Sequence, residues 1–300
     1  MLQVLNAFIS TLFLLSQIAC ESAPQSGGEV YAFPYSLNSP DQSFQLDSTL
    51  TEISGLSGGF RQRLLAINDE VGTLFLLDAG TGMIRESSHF HKDADYEGVE
   101  MVGDQVFVIR SSGTLYALEH PFTEGQQMVK YNTILDRSYD VEGLGYDPDR
   151  QALLIGCKGL GPDEKAYTES KPIFGFDLNT KELMKTPLFL VHKAELFAYI
   201  QAHPDMDDYD ELIEEYAPDV EKFDFGPSGL AWHPQTKELY VLSSPGRLLA
   251  VLSPEGKLVH VQKLRKKVHA QPEGICFDEQ GNLWISSAAK CKSPAILHKF

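Results

Sequence analysis

The chain has 300 residues, of which 43% are hydrophobic, so it is long enough to bury a full core. Its formal net charge of −17 argues against a nucleic-acid partner, because such proteins present a basic face to the phosphates. The acidic balance is compatible with an exported protein and with cation binding.

The amino-terminal segment predicts export. Residues 1–19 carry no charged side chain, and their apolar centre is short and interrupted, which is typical of a secretion signal rather than a membrane span. The segment ends at Cys20 and resembles a bacterial lipoprotein cleavage site, whose cysteine is lipidated. We assign 1–20 to the signal, 21–40 to a polar tether and 41–300 to the folded domain. An outer-membrane or periplasm-facing lipoprotein, attached to the membrane only through Cys20, is the first interpretation, and plain secretion is the alternative.

A repeat with a period in the forties runs through the rest of the chain. Five segments align on a glycine: Glu52-Ile-Ser-Gly-Leu56, Asp95-Tyr-Glu-Gly-Val99, Asp140-Val-Glu-Gly-Leu144, Gly226-Pro-Ser-Gly-Leu230 and Gln271-Pro-Glu-Gly-Ile275. The glycines are 43, 45, 86 and 45 residues apart. This period, with short β-rich runs separated by turn residues, predicts an all-β propeller with four-stranded blades.

The 86-residue gap leaves a choice between five and six blades. Its strand-like runs account for one blade, and 192–225 has the apolar spacing of helices. We therefore predict five blades with a helical insertion at 192–225, and six blades as the alternative. The insertion is strongly acidic, with eleven acids and two lysines, and it is either a lid or a solvated decoration. The last unit lacks a fourth strand, which Ser43-Phe-Gln-Leu-Asp47 can supply.

The residues directly before the repeated glycines are the candidate site. The first strand of each blade lies beside the central channel, so rotation of the blades places these residues in a ring at one mouth: Ser54, Glu97, Glu142, Ser228 and Glu273. Converging carboxylates repel one another, which favours either protonation or a bound cation. Carboxylate-rich oxygen ligation suits calcium, so we predict a calcium site on Glu97, Glu142 and Glu273.

The turns after the second strands reach the same mouth. They bring Asp69 to the predicted metal site, and they bring Arg110 and Lys158 as bases that neutralise carboxylates or contact an anionic ligand. Ser54 and Ser228 complete the predicted ligand-binding set. In the alternative interpretation, the ring residues only hold adjacent blades together.

Motifs in all five units, in order, resemble those of the SdiA-regulated domain family. The motifs include Ile53-Ser-Gly-Leu56, Asn68-Asp-Glu70, Ile109-Arg-Ser-Ser-Gly-Thr-Leu-Tyr116, Val141-Glu-Gly-Leu-Gly-Tyr-Asp-Pro148, Leu154-Ile-Gly-Cys-Lys-Gly159 and Pro227-Ser-Gly-Leu-Ala-Trp-His-Pro234. The resemblance runs from about residue 48 to the carboxyl terminus. It implies a five-bladed propeller similar to NHL-repeat proteins and a calcium site, and it assigns no activity.

Three functional hypotheses follow. The first is a non-enzymatic cell-envelope module that binds calcium and an envelope protein or a small anionic ligand. The second is a calcium-dependent hydrolase, of the lactonase or phosphoesterase kind, with His91 as the base. The third is a surface scaffold in which the ring only joins the blades.

Overall fold

The structure is a computed structural model that describes residues 31–60, 62–162, 164–290 and 293–300. Phe33–Phe300 form one compact unit. The predicted signal at 1–20, its Cys20 and the first part of the predicted tether lie outside the described residues. In the part of the chain that is described, no helix is long and apolar enough to cross a membrane.

The strands form five antiparallel sheets, which confirms the five-bladed propeller. β1 (Gln42–Gln45) belongs to the last blade. Blade one holds β2 (Ile53–Phe60), β3 (Arg63–Asn68), β4 (Thr73–Asp78) and β5 (Ile84–His89). Blade two holds β6 (Tyr96–Val102), β7 (Gln105–Arg110), β8 (Thr114–Glu119) and β9 (Gln127–Asn132). Blade three holds β10 (Val141–Asp147), β11 (Ala152–Cys157), β12 (Ser170–Asp177), β13 (Glu182–Leu183) and β14 (Phe189–His192).

Blades four and five complete the ring. Blade four holds β15 (Pro227–Trp232), β16 (Leu239–Ser243), β17 (Leu248–Leu252) and β18 (Leu258–Lys263). Blade five holds β19 (Pro272–Phe277), β20 (Leu283–Ser287) and β21 (Ile296–Lys299), and β1 supplies its fourth strand by pairing antiparallel with β21. The predicted closure by the amino-terminal strand is confirmed, and it pairs an edge that would otherwise be open.

Burial is greatest in the middle of a blade and least at its outer edge. Every residue of the second strands β11 and β16 and of the third strand β17 is buried, whereas the fourth strand β9 is almost entirely exposed. These middle strands are nearly continuous apolar runs, because both of their faces pack against neighbouring blades.

The long gap between repeats contains one blade and two helices, as predicted. These are α1 (Lys193–Ala202) and α2 (Tyr209–Tyr216). Leu196 and Ile200 on α1, and Leu212 and Tyr216 on α2, are each four residues apart and buried in one apolar cluster with blades three and four. The acidic side chains remain on the outer faces, and helical spacing explains why this segment adds no sixth blade.

The propeller begins earlier than the predicted boundary at residue 41. Leu37 is 1% exposed, and the Nε2 of His269 is 2.7 Å from its carbonyl oxygen. Tyr35 donates a hydrogen bond to the carbonyl of Gly281. The end of the segment assigned to a polar tether is thus packed on blades four and five, because its aromatic and apolar side chains find partners there.

The repeated glycines lie where neighbouring inner strands touch. A Cβ added at Gly55 would be 2.9 Å from the amide nitrogen of Val99, and one at Gly98 would be 2.5 Å from the Cβ of Leu144. The remaining glycines face the next blade in the same way at Gly143, Gly229 and Gly274, the last of which closes the ring against blade one. Real Cβ atoms do not approach so closely, so only glycine permits this spacing.

Replacing Gly98 with alanine should therefore destabilise the fold. Gly98→Ala forces the Cβ into Leu144, and we expect a loss of about 2 kcal/mol of unfolding free energy, or about 5 °C in Tm. Gly125→Ala is the matched control, since its nearest neighbour, the Thr123 Oγ1, would be 3.7 Å away. Thermal melts followed by circular dichroism measure both, and equal Tm values for the two variants would contradict the packing argument.

Candidate functional site: the acidic mouth

Each inner strand carries a β-bulge directly before its repeated glycine. In all five blades the register between the first and second strands shifts at this point. The extra residues are Ser54, Glu97, Glu142, Ser228 and Glu273. A bulge re-aims the side chain of its extra residue. The five residues predicted as a ring thus occupy equivalent bulges around the axis.

The ring surrounds a very small space. A cavity of about 10 Å³ is lined by Ser54, Glu97, Ser228, Glu273 and the adjacent glycine backbone. This is room for about one water molecule, so the glycine contacts almost close the channel at this level. Ligands of larger size would have to bind above the ring, at the surface.

The second strands end at the same mouth. Asn68 pairs with Ile53, Arg110 with Tyr96, and Cys157 with Val141. Asp69, Arg110 and Lys158 therefore lie beside the bulges, as predicted. We use "acidic mouth" for the ring glutamates together with the aspartates around them: Glu97, Glu142, Glu273, Asp69, Asp95 and Asp140.

Glu142 is neutralised within the protein. The Lys158 Nζ is 2.8 Å from its Oε1 and 3.4 Å from the Asp140 Oδ2. Burial disfavours the charge of Lys158, but Glu142 and Asp140 outweigh that effect and raise its pKa. Burial raises the pKa of Glu142, and Lys158 opposes the increase.

Glu97 has no such base. Burial, followed by the nearby Glu142 and the Asp95 carboxyl, raises the pKa of Glu97 to about 10. Among the described residues, no lysine or arginine forms an ion pair with it. Asp95 accepts a hydrogen bond from the Ser111 hydroxyl. This side of the acidic mouth therefore carries carboxyls that repel one another's charge.

Asp69 belongs to the same side. Burial, ahead of the charges of Glu52, Glu70 and Asp95, raises its pKa to about 6. Its Oδ1 is buried and accepts no hydrogen bond from any described residue. An oxygen in this condition has a free lone pair for a ligand.

Glu273 and the two serines are bound mainly to protein groups. The Ser244 hydroxyl donates to the Oε1 of Glu273 at 3.1 Å, and burial raises the pKa of this glutamate to about 7. Ser54 donates to the carbonyl of Tyr96 in the next blade at 2.7 Å. Ser228 accepts a hydrogen bond from the amide of Ser244 at 2.9 Å. The serine hydroxyls thus join strands, in line with the structural interpretation of the ring.

Arg110 and His91 lie near the mouth without joining its carboxylates. The Nε of Arg110 is buried and has no hydrogen-bond partner among the described residues. The ring of His91 lies tilted against the ring of Tyr116, with 5.2 Å between the two ring centroids. No hydrogen bond in the described part of the chain connects His91 to a glutamate of the ring, so the geometry gives the hydrolase hypothesis no added support.

The acidic mouth fits calcium in the chemistry of its oxygens. However, the described residues contain no group of three or more acidic, histidine or cysteine side chains already arranged around one metal position. A metal there would have to draw the carboxylates together. Asp95 and Asp140 were not predicted as part of the site, although the repeat shows an acid two residues before both Glu97 and Glu142.

The described residues form a five-bladed propeller with an acidic mouth at one end of its central channel. A family model described as SdiA-regulated matches residues 210–290, which run from α2 through blade four into blade five. This confirms the resemblance found in the sequence over that part of the chain. No curated protein matches the chain.

Solved structures share the fold at low identity. Glutaminyl cyclase of Myxococcus xanthus is 12% identical, with 87% of this chain and 97% of that chain covered and a TM-score of 0.55. A gluconolactonase of Xanthomonas campestris is 15% identical, with 85% and 74% covered and a TM-score of 0.48. Virginiamycin B lyase from Staphylococcus aureus is 11% identical, with 86% and 73% covered and a TM-score of 0.43. At 12% identity, the likeness to the glutaminyl cyclase shows the fold alone.

Glu97 should make stability fall as the pH rises. Its pKa is about 10 when folded and 4.5 in a free side chain, so the folded state retains a proton that the unfolded state loses between these values. Glutamine resembles the protonated form. Glu97→Gln should therefore melt at least about 3 °C above the wild type at pH 8, with little difference at pH 5.

Thermal melts at the two pH values, in the presence of EDTA, measure this effect. Glu214→Gln removes one charge at an exposed position on α2 and is the control, which should leave the pH dependence unchanged. A Glu97→Gln protein with the wild-type pH dependence would show that Glu97 is ionised in the folded state.

Proposed function

We propose that this chain is an exported cell-envelope binding module whose acidic mouth takes up calcium. The observation that carries the proposal is the set of five equivalent bulges, which direct three glutamates to one mouth while only Glu142 forms an ion pair among the described residues. Oxygen-only ligation with several carboxylates suits calcium better than zinc or copper.

The cation would bind on the Glu97 side of the mouth. Lys158 already compensates Glu142 and Asp140, whereas Glu97, Asp95 and Asp69 crowd together and the Oδ1 of Asp69 lacks a donor in the described structure. A divalent ion there would offset the burial and the nearby negative charges that raise the pKa of Glu97. Because Glu97 holds a proton in the free protein, metal binding would release this proton and would strengthen as the pH rises.

An anionic partner fits the same surface. The buried Nε of Arg110 has no acceptor in the described residues, and calcium bound beside it would add positive charge. A carboxylate or phosphate of an envelope protein or a small ligand could then contact both groups. Export, with Cys20 as the lipid anchor, remains part of this proposal and would place the mouth in a compartment where calcium is available.

Calcium should raise the melting temperature of the purified protein. After removal of metal with EDTA, about 1 mM calcium should increase Tm by about 5 °C at pH 8, because a ligand that binds only the folded state stabilises it. Glu97→Gln should lose most of this increase, and Glu214→Gln should retain it. Differential scanning fluorimetry measures all three proteins.

The outcomes separate the hypotheses. An unchanged Tm of the wild type at millimolar calcium would overturn the metal proposal and favour the scaffold. An equal increase for the wild type and Glu97→Gln would place the metal elsewhere on this acidic chain.

A further inference from the structure

The other end of the channel holds a second, larger cavity. It has a volume of about 280 Å³ and lies between the inner strands of the five blades, beyond the level of the repeated glycines. Each inner strand contributes residues three or four positions after its ring residue: Gly58, Glu100, Tyr146, Ala231, Trp232, Cys276 and Phe277. This cavity is far larger than the one-water space at the ring, so it can hold a small organic molecule.

Aromatic and proline side chains form the wall of this cavity. Tyr146, Trp232 and Phe277 come from three successive blades, and Pro148 and Pro234 follow two of these strands. Each ring lies at the same place along its strand, so the repeat brings the rings to one end of the channel. Trp232 and Phe277 are 9% and 8% exposed, and an aromatic ring that borders a cavity can contact a cation.

The charged residues of the cavity are all acidic. They are Glu100, Asp278 and Glu279, and no lysine or arginine of the described residues lines it. Asp278 is occupied, because it accepts hydrogen bonds from the amide of Asn282 and from the indole of Trp284. Of these three residues, Glu100 is the one on an inner strand, β6, whereas Asp278 and Glu279 follow the end of β19.

Glu100 is held in place by one neighbour. The Ser57 hydroxyl is 3.1 Å from its Oε1, and the same hydroxyl accepts a hydrogen bond from the amide of Met101. In the described structure, Glu100 forms no ion pair with a lysine or arginine. Burial raises the pKa of Glu100 to about 8. A carboxyl without a counter-ion beside aromatic residues is a chemical complement of an organic cation, which would bind more tightly as the pH rises and Glu100 loses its proton.

A neutral polar group of the cavity also lacks a partner. Trp232 is 9% exposed, and its buried Nε1 has no acceptor among the described residues. Because a buried N–H group without an acceptor is costly, a ligand oxygen that could accept from it would stabilise the complex.

We propose that this cavity binds a small organic cation, an alkylammonium group that also carries a hydroxyl or carbonyl oxygen. The ammonium group lies against the aromatic wall with Glu100 as its counter-ion, and the oxygen accepts from the indole of Trp232. The absence of a basic side chain from the lining disfavours anions at this end. The site is separate from the acidic mouth, and its occupancy does not depend on calcium.

Choline is a suitable probe, and its uncharged isostere 3,3-dimethyl-1-butanol is the matched ligand control. Binding is measured by isothermal titration calorimetry and by the quenching of tryptophan fluorescence, since the chain has two tryptophans and one of them lines the cavity. We expect saturable binding of choline, with the neutral isostere at least about tenfold weaker.

Variants locate the site. Glu100→Gln should weaken choline binding by about tenfold, because the counter-ion is removed while the shape is kept. Glu214→Gln, which removes an exposed charge on α2, should bind choline as the wild type does. If Glu100→Gln fails to fold by circular dichroism, Tyr146→Leu on the aromatic wall provides the second test and should also weaken binding.

Three results would overturn the proposal. The first is the absence of saturable choline binding up to about 50 mM, because a specific site of this kind should have a lower dissociation constant. Equal affinity for choline and its neutral isostere would mean that the cavity selects for shape and not for charge. Unchanged choline affinity in both Glu100→Gln and Tyr146→Leu would place the binding elsewhere.

Discussion

The close approach of the five inner strands is the constraint on which the rest of the structure depends. It requires a glycine in every blade, because a Cβ at Gly98 or Gly274 would overlap the neighbouring strand. Each glycine follows a bulge, and the bulge turns one side chain towards the axis. The same local geometry therefore joins the blades and builds the ring. This is why a repeat that looks purely architectural also produces a concentration of carboxyl groups.

The glycine contacts divide the channel into two ends with different environments. At the ring, only about 10 Å³ is open, and the carboxyls must be compensated by Lys158, by protons or by a cation. At the other end, a cavity of about 280 Å³ has Tyr146, Trp232 and Phe277 in its lining. Both ends are acidic, but the first groups carboxylate oxygens, which suit a hard metal ion, and the second combines aromatic residues with Glu100, which suit an organic cation.

The sequence allowed the blade count, the ring closure and the ring residues to be predicted, because glycine spacing survives in the chain as a visible period. The sequence did not show which carboxyls form an ion pair with a lysine or arginine. Arg110 is equivalent to Cys157 in the strand register, and Lys158 comes one residue later. Among the described residues only Lys158 forms an ion pair with a ring glutamate, and it also contacts Asp140, a contact that the sequence alone does not show. Leu37 was assigned to a tether because its packing partner, His269, is distant in the chain.

The aromatic cavity could not be predicted from the sequence, for a related reason. Tyr146, Trp232 and Phe277 lie in apolar strands, where such residues are ordinarily core, and only the register of the blades shows that they share one end of the channel. The family match at 210–290 includes Trp232, Glu273 and Phe277 but not Glu97, Glu100 or Glu142. The residues at each end of the channel thus lie partly inside and partly outside the matched range. Since neither end is complete without the inner strands of blades two and three, ligand binding at either one requires the closed ring, and opening the β1–β21 edge would weaken both together.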